Sequence, residues 1–91
     1  MQPILIYGPA ACGKTRNAQA LKTHYGARQI VDGFNPIGRT GQFSTDNGPP
    51  PRSLEGAVIL TNLGRDEARR VAERLGARCL SFDHAKKEAR L

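Results

Sequence analysis

One stretch of this chain, Gly8-Pro9-Ala10-Ala11-Cys12-Gly13-Lys14-Thr15, combines residue types at a spacing that dictates a chemistry. The pattern G-x-x-x-x-G-K-[ST] describes a loop shaped to hold phosphate. Gly8 and Gly13 allow dihedrals and close approaches that a Cβ would block, so successive amide N–H groups can turn inward around anionic oxygens. A helix starting near Lys14 brings unpaired N–H groups and the positive end of its dipole to the same point, which favours a β-phosphate there. Lys14 can reach β and γ oxygens as a compact charge, and the Thr15 hydroxyl is a hard oxygen donor for Mg²⁺. The candidate phosphate-binding set is Gly8, Pro9, Ala10, Ala11, Cys12, Gly13, Lys14, Thr15 and Arg16.

Such a loop works only between a buried strand and a helix, and the flanking residues supply both. Ile4 to Tyr7 is a continuous apolar run, as in a strand covered on both faces. From Lys14 to Tyr25, Ala18, Leu21 and Tyr25 recur at helical spacing, with Gly26 placed for a left-handed cap. Gln29 to Asp32 predicts a second strand ending in a carboxylate. Ala57 to Thr61 predicts a third, apolar throughout, and Arg65 to Leu75 a helix with Ala68, Val71, Ala72 and Leu75 on one face and Gly76 as its stop. Arg78 to Phe82 predicts a fourth strand, after which Asp83 is placed to cap a short final helix. The stretch 34–53 holds Pro36, Pro49, Pro50 and Pro51 with Gly38, Gly41 and Gly48, and predicts a long loop without regular core structure. Gly-Ala-Arg precedes both Ile30-Val31-Asp32 and Leu80-Ser81-Phe82-Asp83, as expected if two helices end in the same cap before parallel strands.

Composition limits what can be built around the loop. At 91 residues, with 38% hydrophobic side chains, the chain makes one domain. Only about 60 to 65% of its unfolded surface would be buried, so ligand binding or self-association should matter for stability. Fourteen Lys and Arg against eight Asp and Glu give a net charge of +6, which suits nucleotides, nucleic acid or acidic protein surfaces, though 5% aromatic residues leave few stacking platforms. The N-terminal apolar run falls far short of the roughly 20 residues of a membrane span and lacks the build of a signal peptide, so a cytoplasmic location and no membrane partner are expected. Cys12 and Cys79 form no CxxC pair and are expected as free thiols; Cys12, beside Lys14 in the loop, has surroundings that activate a thiol. His24 and His84 are isolated from any metal cluster. Arg39, Arg52, Arg65, Arg69 and Arg70 are available as cations toward transition-state charge.

The eight residues Gly8 to Thr15 match the Walker A motif, and the chain resembles the P-loop nucleoside triphosphatases in its minimal AAA-like form, similar to small ATPases that phages encode. The resemblance implies a three-layer α/β domain with about four mostly parallel strands, helices on both faces and the 34–53 loop as an excursion. It implies a purine triphosphate, ATP or GTP, with Mg²⁺, and Gly13, Lys14 and Thr15 at the phosphate and metal positions. Ile30-Val31-Asp32 looks like a shortened Walker B strand, which makes Asp32 a metal-holding candidate, with Asp83 its rival. Val58 to Asn62 resembles the strand that ends in a polar residue near the γ-phosphate, which would set Asn62 or Thr61 beside the attacking water; Asn62 as the cap of the next helix is the other reading. The expected activity is slow ATP hydrolysis by Lys14, Asp32 and Asn62, with a protein partner or second copy completing the site. The alternatives are a small-molecule kinase and a non-enzymatic module whose nucleotide orders the long loop onto protein or nucleic acid.

Overall fold

A computed structural model of the chain describes residues 2–9, 12–38, 42–46 and 48–91. Ile4–Tyr7 (β1) and Ala57–Thr61 (β4) pair in parallel at the centre of a sheet, Ile4 opposite Val58 and Ile6 opposite Leu60. Their runs are apolar without alternation because both faces are covered. Ile4, Ile6, Val58 and Leu60 pack with Ala18 and Leu21 of helix α1 (Ala18–Tyr25) and Phe82 and Ala85 of α3 (Phe82–Ala89). On the other face Leu5, Ala57 and Ile59 pack with Ala68, Val71 and Ala72 of α2 (Arg65–Leu75).

Gln29–Ile37 (β2) runs parallel to β4 and Arg78–Ser81 (β5) parallel to β1, while Gln42–Ser44 (β3) lies antiparallel on the outer edge of β2, giving the order β3-β2-β4-β1-β5. The described residues form an α/β domain with a mixed five-stranded sheet and three helices. Two expectations are corrected. The second strand runs past Asp32 to Ile37, and part of the expected loop pairs with it as β3, Pro36 opposite Phe43. The cause is Gly33: with φ at +68° it lets three steps of β2, Val31 to Phe34, match two of β4, Ile59 to Thr61. This bulge keeps Val31 and Phe34 both in the core that faces α2, where strict alternation would separate them.

Helix ends follow local chemistry. Gly26 (φ 65°) and Gly76 (φ 66°) close α1 and α2, the next amides, Ala27 and Ala77, reaching back to Lys22 and Ala72. Each then feeds a parallel strand, so the repeated Gly-Ala-Arg is a shared cap. The cap of α3 is Ser81, whose Oγ accepts from the His84 N–H at 3.1 Å; Asp83, expected there, lies in the first turn. Among the described residues, no helix is long and apolar enough to cross a membrane.

Besides the core contacts of Phe82 and Ala85, the Glu88 carboxylate joins α3 to α1 and β5. Tyr25 donates its hydroxyl to Glu88 Oε1 (2.7 Å), Arg78 donates to Oε2 (3.1 Å), and His84 Nε2 stands 3.6 Å from Oε2. Burial, followed by the bond to Glu88, pushes the Tyr25 phenol up to about 12. The Tyr25 hydrogen bond, with Arg78 behind it, holds Glu88 below the ordinary carboxylate range. A carboxyl group depressed in the folded state stabilises above its unfolded pKa, and that stabilisation is lost as pH falls through the folded value. Urea unfolding of wild type and Glu88→Gln should therefore show the wild-type advantage at neutral pH, shrinking to nothing in acid.

Candidate functional site

Strands β1 and β4 are neighbours, yet the chain leaves them toward opposite faces, β1 to α1 and β4 to α2. Divergence of this kind opens a crevice outside the carboxyl ends of the two strands, where open α/β sheets take their ligands. The Gly8–Thr15 loop follows β1 into that crevice. Gly8 makes the last sheet bond, its N–H to Thr61 O at 3.3 Å, and a Cβ there would crowd Cys12 Sγ and Phe82 Cβ, each 3.3 Å away. Gly13 has φ at +102°, a backbone closed to other residues without strain.

Beyond Gly13 the chain makes turns, and regular helix begins at Ala18 rather than near Lys14. The Asn17 amide is shared between Gly13 O (3.1 Å) and Lys14 O (3.2 Å), and Asn17 Nδ2 also donates to Gly13 O at 3.0 Å. That tight first turn delays the helix. Among the described residues, the backbone N–H groups of Gly13, Lys14, Thr15 and Arg16 donate to no carbonyl. Lys14 is 6% exposed, and its ammonium donates to Gly8 O (2.7 Å) and Pro9 O (2.8 Å) with Cys12 Sγ at 3.5 Å. Its charge is thus fixed inside the loop.

A cleft of about 380 Å³ opens on this loop, lined by Cys12 to Arg16, Asp32, Asp46, Leu60 and Asn62. It brings Lys14, Thr15, Asp32 and Asn62 together from three separate parts of the chain. Ala10 and Ala11, and Arg39 among the arginine candidates, lie outside the described residues. Asp83 does not line this cleft. Asn62 is no helix cap, since Gly64 holds that position with extended backbone (φ −70°, ψ 166°), and Asn62 stands exposed at the cleft wall.

Asp46 escaped the sequence reading because it belongs to the segment without periodicity. The pleat of β3 and the bulge at Gly33 bring it in. Its amide donates to Asp32 O at 3.0 Å, and a Cβ on Gly33 would overlap its carboxylate. Among the described residues, the cleft is lined by two cations, Lys14 and Arg16, and two carboxylates, Asp32 and Asp46.

A second cavity of about 470 Å³ lies on the β5 side of the loop, between Tyr7 to Pro9, Asn62 to Arg65 and Ser81 to Asp83. Cys12 and Asn62 line both spaces, so the two adjoin. Another hollow, of about 1020 Å³, is a groove between Gly38 and α2, lined by Glu67, Arg70, Glu73 and Arg74.

Thr61 braces the crevice from below. It is 1% exposed, donates its hydroxyl to Phe34 O at 2.8 Å and accepts from the Leu63 N–H at 3.3 Å, fixing the chain on both sides of Asn62. Thr61→Val keeps the shape but strands both backbone groups, and urea unfolding should report a loss of about 1–3 kcal/mol.

No protein-family model, no curated protein and no solved structure matches this chain.

Proposed function

We propose that this protein is a small P-loop nucleotide-binding domain of three layers that takes a purine nucleoside triphosphate, ATP foremost, with Mg²⁺, and hydrolyses it slowly. One observation carries the proposal. Gly13 to Arg16, whose amides are uncommitted among the described residues, line the same cleft as Asp32, and the buried Lys14 ammonium is held by the carbonyls of that loop. A ring of amide donors at a turn is an anion nest, and a lysine held within it adds a full charge.

In this proposal the loop amides cradle the β-phosphate and Lys14 bridges the β- and γ-phosphate oxygens. The Thr15 hydroxyl and the Asp32 carboxylate are hard oxygen donors, which fits them to hold Mg²⁺ beside phosphate. Magnesium, when bound, draws off negative charge that develops on the transferring phosphoryl group. Asn62, at the wall of the cleft, orients the attacking water through its amide. Turnover is slow because Lys14 and Arg16 are the only cations lining the cleft among the described residues, and phosphoryl transfer needs charge stabilised from several sides. The adjoining cavity of about 470 Å³ has room for the nucleoside; under the kinase alternative it would hold a phosphoryl acceptor.

The test is thermal unfolding of wild type and Lys14→Ala with ATP, GTP and ADP, with and without Mg²⁺, followed by phosphate release from the same samples. Lys14 also braces its own loop, so the quantity compared is each protein's ligand-induced shift. Ligand at about 100 times Kd adds about 2.7 kcal/mol, a rise on the order of 10 to 20 °C in a domain this small. The expected result is a Mg²⁺-dependent rise with ATP in wild type, lost in Lys14→Ala, together with slow phosphate release. Absence of a shift in wild type overturns the proposal; a shift without release leaves a nucleotide-binding module in place of an enzyme.

A further inference from the structure

We infer that Asp46 is the second carboxylate of a divalent-cation position on this cleft, shared with Thr15 and Asp32, and that it makes triphosphate binding depend on the metal; this rests on the nucleotide-binding function proposed above. Asp32 alone supplies a single acidic ligand, and Asp46 reaches the same cleft from a different part of the chain. Three features place it there. Its amide is bonded to Asp32 O at 3.0 Å, which joins the backbones of the two aspartates. Its carboxylate occupies room that exists only because residue 33 has no Cβ. Gly33 also has the positive φ that bends β2, so the residue that shifts the register is the one that makes space for the acid.

The charge balance then gives the inference a signature. Two carboxylates facing the Lys14 loop repel a bare triphosphate tail and undo part of the attraction of Lys14 and Arg16. A divalent cation between carboxylates and phosphate turns that repulsion into a bridge. Among the described residues no group of three or more His, Cys, Asp or Glu gathers to hold a metal unaided. Two carboxylates and a hydroxyl suit Mg²⁺, which keeps several waters and takes phosphate oxygens as ligands, better than an all-protein cage. Removing the charge of Asp46 should therefore act in opposite directions with and without metal. A carboxylate with a purely structural role would give no such reversal.

The experiment is calorimetric titration of the full chain with ATP, in EDTA and in Mg²⁺, for wild type, Asp46→Asn and Glu55→Gln. Glu55→Gln changes net charge equally at a residue that does not line the cleft. Asp46 is exposed, so Asp46→Asn should fold, and its unfolding temperature is measured alongside. In wild type, Mg²⁺ should tighten ATP binding at least about tenfold. In Asp46→Asn the metal-free affinity should rise severalfold while the enhancement by Mg²⁺ falls by about tenfold, and Glu55→Gln should match wild type. An unchanged enhancement in Asp46→Asn, or equal weakening under both conditions, overturns the role of Asp46 and leaves the nucleotide site standing. A reversal of the same size in Glu55→Gln also overturns it, by assigning the effect to net charge. Absence of ATP binding by wild type under either condition overturns the nucleotide site, and the role of Asp46 with it.

Discussion

The burial of β1 and β4 on both faces is the constraint from which the remaining architecture follows. Two adjacent parallel strands with apolar residues above and below must each be covered twice, and a short chain has few helices to do it. The chain sends α1 and α3 to one side and α2 to the other. β1 and β4 stay paired to their carboxyl ends, but the segments that follow them turn to opposite faces, which leaves a crevice beyond the last pair. The crevice is a by-product of covering the core, present before any residue in it is chosen for chemistry.

The crevice gathers residues of both charge signs on one cleft. Lys14 is almost wholly removed from solvent, and a buried ammonium is costly unless its protons are satisfied. Gly8 O and Pro9 O satisfy two of them, so the loop that encloses the lysine also supplies its hydrogen-bond partners. Glycine at positions 8 and 13 makes this geometry possible, one by yielding space and the other by its left-handed backbone. Asp32 and Asp46 line the same cleft from the β2 side, one from the strand and the other from the segment after β3.

Elements with one strong periodic signal were readable from sequence alone. Ile4 to Tyr7, Ala57 to Thr61 and Arg65 to Leu75 fall where the apolar runs and the glycine stops put them. The candidates Lys14, Thr15, Asp32 and Asn62 meet at one cleft, which pattern and strand ends together could suggest. The remainder depended on interactions that no local pattern records. Gly33 reads as a strand terminator, yet it is a bulge through which β2 continues, because Phe34 still finds a core to enter. The start of α1 is set by competition for the Asn17 amide. Ser81 takes the cap expected of Asp83 because β5 ends one residue sooner than its apolar run. Asp46 had no signal of its own; its place is fixed by pairing across the sheet edge.

The two spaces flanking the Gly8–Thr15 loop share Cys12 and Asn62 as a common wall. A substitution at position 12 or 62 therefore reshapes both spaces at once, so neither hollow can be altered from that wall without changing the other.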